Sequence, residues 1–222
     1  MGVMVAIIIG GAVITIRQER KRLERLNKIA DNLAVSLNLT LEKSRKGFFR
    51  RREVTLSGRW RGRETTLRFY SIKEGNNVTH YTEAKIICHN PGMAAFKIRE
   101  EGIFTEIADA IGAGDVKTGD TIFDKRFYIK CKNEEYIRIV LGEEARKTIS
   151  VMFDLKPDSA FIQLNGTDLI YRERKHPEIQ TDETRIMEAL NMISLLADKI
   201  ESVSWEDGKP VTFWEEAGNS LQ

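Results

Sequence analysis

Histidine and cysteine are scarce in this chain of 222 residues, which has three of the former and two of the latter, Cys88 and Cys131. Two cysteines are too few for the disulfide framework of a small secreted scaffold, and the sequence around each reads as strand interior, so both are expected to be reduced thiols. A zinc site built from His80, Cys88 and His89 fails on geometry. On one strand, His80 and Cys88 share a face but stand about 26 Å apart, while Cys88 and His89 point to opposite faces. Proline is limited to four residues and no low-complexity run occurs, so disorder is expected only at short ends. There is no G-x-S-x-G, H-E-x-x-H or C-x-x-C motif and no dinucleotide fingerprint. The glycines at 112–119 invite a phosphate-loop reading, but Gly119 is followed by Asp120-Thr121, a carboxylate where a Walker loop needs lysine. A tight turn accounts for them, and no cofactor or metal is expected.

Charge is nearly balanced overall at +2, yet unevenly distributed. Arg17 to Arg68 carries sixteen basic against six acidic residues, whereas Phe69 to Gln222 carries nineteen against twenty-seven. The one long apolar run comes first. Met1 to Ile16 has no charged side chain and is followed at once by RQERKRLER. At about 1.5 Å per residue it reaches about 24 Å, and continuation into Arg17 with snorkelling arginines closes most of the gap to a bilayer of about 30 Å. A cleaved signal peptide carries its basic residues before the apolar stretch, so residues 1–16 read as a transmembrane anchor. Arg17, Arg20, Lys21, Arg22 and Arg25 follow it, which sets a single-pass protein of the cell membrane with its domain on the cytoplasmic side. That placement suits reduced thiols and leaves the N-x-T matches at Asn38, Asn77 and Asn165 without glycan.

Beyond the anchor the patterns predict one α+β domain, an antiparallel sheet packed with helices. Leu23, Leu26, Ala30, Leu33 and Leu37 form one stripe of a juxtamembrane helix over 17–38, read as packing on its own domain. The domain proper spans 39–203, with 204–222 as a C-terminal tail. Strands are expected around Val54 and Leu56, Thr65 to Phe69, Val78 to Cys88, and Phe96 with Ile98, with a turn at Gly75, Asn76 and Asn77. Ile103 to Ile111 has helical character. Phe123, Phe127, Ile129 and Cys131 read as one face of a further strand, with Asp124, Arg126, Tyr128 and Lys130 on the other. Asn133 caps one or two helices reaching Phe153, Asn165-Gly166 turns a hairpin, and Ile186, Leu190, Ile193, Ala197 and Ile200 line a last helix over 182–201. Clustered helices favour an antiparallel arrangement over a doubly wound parallel one.

Two groups of residues could carry function. The basic stretch 43–68 interleaves Phe48, Phe49 and Trp60 with its charges, a mix that fits single-stranded nucleic acid or an anionic membrane surface. The nearby anchor favours lipid and disfavours nucleic acid. Arg17, Arg20, Lys21, Arg22, Arg50, Arg51, Arg52, Arg59 and Arg61 are the expected anion contacts. Asp115, Asp120 and Asp124 could hold a cation or work as an acid and base, but Asp124 beside Arg126 reads as an ordinary surface pair.

The segment TGDTIFDKRFYIK resembles a group of uncharacterised prokaryotic membrane-anchored proteins that carry a T-G-D-x-x-F-D-x-x-F signature, matched here by Thr118, Gly119, Asp120, Phe123, Asp124 and Phe127. The resemblance extends loosely over Leu23 to Glu201. It implies a helix and a glycine-rich antiparallel sheet before the signature, and helices and a hairpin after it, with no activity attached. The signature is therefore expected to be structural. The leading expectation is a membrane-tethered interaction or accessory domain with membrane lipid and a protein of a membrane complex as partners. The alternatives are an enzyme of unrecognised type using Asp120 and Asp124, or a nucleic-acid binder through 43–68.

Overall fold

The computed structural model describes residues 21, 24–42, 53–75, 77–102, 115–155, 158–175 and 183–212. The expected anchor at 1–16, Arg17, Arg20, Arg22, Arg50, Arg51 and Arg52, and the helical stretch Ile103 to Ile111 lie outside the described residues. Among the described residues no helix is long and apolar enough to cross a membrane.

The domain is α+β. Residues 24–36 form helix α1, and Ala30, Leu33 and Leu37 on its stripe are buried in the core, so this helix packs on its own domain. Eight strands form one sheet: β1 (Leu39–Glu42), β2 (Val54–Trp60), β3 (Arg63–Glu74), β4 (Asn77–Ile87), β5 (Phe96–Glu100), β6 (Phe127–Cys131), β7 (Asp158–Asn165) and β8 (Asp168–Lys175). Their order is β1-β2-β3-β4-β8-β7-β5-β6, and every neighbouring pair is antiparallel. The β3–β4 hairpin turns at Gly75, as the sequence predicts, and the β7–β8 hairpin pairs Asn165 with Asp168, which puts its turn at Gly166-Thr167.

Alternation along the strands sends Leu56, Leu67, Phe69, Ala84, Ile86, Phe96, Ile98, Ile162, Leu164, Leu169 and Tyr171 to one face. Helices α3 (Glu134–Val140), α4 (Glu143–Asp154) and α5 (Glu183–Glu201) share that core with α1. Asn133 accepts a hydrogen bond from the Tyr136 amide at 2.9 Å and so caps α3. Helix α5 runs across β4 and β8 near the middle of the sheet, which is why its apolar stripe is broad and buries Ala189, Met192 and Leu196 besides the expected residues.

Two expectations change. The strand predicted from Phe123 begins at Phe127; before it, Thr121–Arg126 is a short helix, α2, nucleated by the Asp120 side chain. The period-2 reading failed there because Phe123 and Phe127 are also four apart, a spacing that a helical turn satisfies equally well. At the other end, where a tail was expected, Val203–Glu206 and Lys209–Thr212 pair as strands β9 and β10.

Candidate functional site

Thr118 to Arg126 makes a turn closed by the side chains of Asp120 and Asp124. Asp120 is the N-cap of α2: its Oδ1 accepts from the amides of Ile122 at 3.0 Å and Phe123 at 3.1 Å, and its Oδ2 accepts from Arg146 Nε at 3.2 Å. Those amide bonds, that of Phe123 foremost, hold its carboxyl below the usual range, with Arg146 adding to them. Asp124 reaches back across the turn. One oxygen accepts from the Thr118 amide and hydroxyl, both at 2.8 Å, and the other from the Gly119 amide at 2.9 Å. Gly119, at φ 92°, supplies the left-handed conformation that aims both amides at one carboxylate.

This geometry corrects the reading of Asp124 as a strand-surface partner of Arg126. Arg126 instead pairs with Glu100 at 2.9 Å and Asp154 at 2.5 Å, tying α2 to β5 and α4. Phe123 and Phe127 are buried with ring centroids 4.4 Å apart, and Phe127 meets Phe153 edge-on at 5.1 Å. The carboxylates of Asp120 and Asp124 thus sit on amides and Arg146. Among the described residues no group of three or more His, Cys, Asp or Glu is placed to hold a metal ion.

Of the expected anion contacts, Lys21, Arg59 and Arg61 are among the described residues. Lys21 is helical and exposed, Arg59 lies near the end of β2, and Arg61 lies in the turn from β2 to β3. Arg59 folds onto the Gly62 carbonyl through Nη2 at 2.6 Å, and Arg61 donates to Asn191 Oδ1 on α5 at 3.0 Å. Trp60 is half-buried against the core, and Arg61 lies over its ring. The last two cations of the basic stretch are committed to acids. Arg63 pairs with Asp198 and Glu201, and Arg68 pairs with Glu53 and Glu83.

The sheet face opposite the helices is the feature that reading by segments missed. Arg68, Tyr70, Tyr81, Glu83, Lys97, Arg99, Tyr128, Lys130, Phe161 and Arg172 alternate out of phase with the core residues of their strands. Cations lie over rings across it: Arg68 over Tyr70 at 5.0 Å, Lys97 over Phe161 at 5.0 Å, Arg99 over Tyr128 at 4.7 Å and Arg172 over Phe161 at 5.2 Å. Tyr70 stacks on Tyr81 at 5.3 Å, and burial pushes its phenol up to about 12. Glu83, 3% exposed, accepts from Arg68 at 3.2 Å and from Arg172 at 2.6 Å. Only the pairing of strands distant in sequence assembles this face, so no local motif announces it.

A helix layer on one face of an eight-stranded antiparallel sheet therefore defines the architecture. No family model and no curated protein matches the chain. Among solved structures, the crystal structure of the mycobacterial trehalose monomycolate transport factor A, TtfA, is similar at 12% identity with a TM-score of 0.52, covering 84% of this chain and 97% of that one. At that identity the likeness shows the fold.

Proposed function

We propose that this chain is a membrane-tethered accessory domain, without catalysis of its own, that works through a protein partner in a transport assembly. The observation that carries the reading is the fold it shares with a transport factor over 97% of that protein's chain. The signature supports it: Asp120 and Asp124, the residues an enzyme reading would use, are engaged in capping α2 and closing the turn. In this reading residues 1–16 anchor the chain. The basic cluster Arg17, Arg20, Lys21 and Arg22 keeps the domain at an anionic cytoplasmic leaflet, at up to about 1 kcal/mol per cation near the surface. The aromatic and cationic sheet face is the surface offered to the partner. A nucleic-acid reading is less favoured, because bases need open rings to stack on, and the rings of Tyr70, Tyr128 and Phe161 carry the chain's own cations.

Site-specific photo-crosslinking in cells tests this, with the photoreactive residue placed at Tyr81 and at Tyr128 of the full chain. The reading expects the protein in the membrane fraction and a discrete protein adduct from one or both positions. A soluble chain with no adduct at either position would overturn it.

A further inference from the structure

The hairpin β9–β10 turns through Asp207-Gly208, both at positive φ, and packs on α3, with β9 also touching α5. Val203 and Pro210 are buried, and between them the Trp205 indole stacks on Tyr136 with centroids 5.8 Å apart. Gly92 forms the other wall of that slot: a β-carbon there would collide with Cε2, Cζ2 and Nε1 of the indole. Gly92 is not among the glycines at positive φ, so its backbone does not demand glycine and the indole does.

The fit is incomplete in its hydrogen bonds. Trp205 Nε1, Tyr136 Oη and, in the turn that holds Gly92, Asn90 Oδ1 are buried without a protein partner among the described residues. A buried donor or acceptor left unpaired is penalised, and the penalty is recovered when water reaches it. A two-stranded hairpin has little stability by itself, so it stays only as long as its docking holds.

We propose that the β9–β10 hairpin is a releasable strap: it undocks as a unit with Trp205 leaving the slot between Gly92 and Tyr136, while the eight-stranded sheet stays folded. Release uncovers an aromatic slot and the Tyr136 hydroxyl, and water then satisfies the groups that docking orphans. Burial with both thiols alongside raises the Tyr136 phenol well above its ordinary value, so the hydroxyl stays neutral in either state.

Amide hydrogen exchange on the full chain in mild detergent tests the strap. Peptides covering 203–212 are expected to exchange at least 100-fold faster than those of β3 and β4. Gly92→Ala should quicken hairpin exchange a further tenfold or more with β3–β4 protection unchanged. Tyr136→Phe, which removes one orphaned group and keeps the stacking ring, should slow it at least fivefold. The inference is overturned if the hairpin exchanges only with the sheet, or if Tyr136→Phe leaves its rate unchanged or raises it.

Discussion

The turn at 118–126 and the corner under Trp205 both bury aromatic rings beside polar atoms, but they settle their hydrogen bonds in opposite ways. In the turn, two carboxylates take up five donors from the backbone, Thr118 and the α2 amides, and Arg146 adds a sixth. In the corner, an indole N–H and a phenol hydroxyl are buried with no partner. A small loop can be rigid when its side chains match its amides one for one, and an element can be well packed yet poised to leave when they do not.

The largest effect that would sharpen this contrast is Phe127→Ala. The ring is fully buried between Phe123 and Phe153, so its loss should cost about 3 to 5 kcal/mol in urea unfolding. Next, Asp124→Asn keeps one acceptor but turns an amide toward the Gly119 or Thr118 donors, and should cost about 2 to 3 kcal/mol. Trp205→Ala should be milder, at about 1 kcal/mol or less in global unfolding, because the strap opens before the sheet does. A loss as large as that of Phe127→Ala would join the hairpin to the core and break the comparison. Smallest is a pH effect at Asp120. Its folded carboxyl is held low, so its contribution is complete above the unfolded value near 4 and fades as pH falls through the folded one. Asp120→Asn should remove that part of the acid slope, visible as a flatter stability profile below about pH 4.

Much of the fold was legible because its signals are local. The stripe of α1, the alternation of β2 to β4, the Asn133 cap and the central stripe of α5 each follow from residues within one element. The signature was half-legible. Gly119 and Asp120 were legible as a tight turn, but the helix that Asp120 caps and the partners of Asp124 are fixed by how the turn closes, and Phe123 and Phe127 suit a strand face or a helical turn. Asp207-Gly208 is a strong hairpin signal that was lost in an expected tail, since four-residue strands give too little alternation to notice. The cationic and aromatic sheet face and the slot at Gly92 depend on contacts between distant segments, such as Trp205 with Gly92 and Arg172 with Glu83, and no window of sequence contains both partners.

In this structure the signature carboxylate Asp124 acts on its own turn, through Thr118 and Gly119. A double-mutant cycle between Thr118→Val and Asp124→Asn, measured by urea unfolding of the full chain in mild detergent, tests it most directly. The two residues share a hydroxyl–carboxylate bond of 2.8 Å, so a coupling of about 1 to 2 kcal/mol is expected. Additive losses, or an Asp124→Asn protein more stable than the parent, would contradict it and return the carboxylate to the list of functional groups.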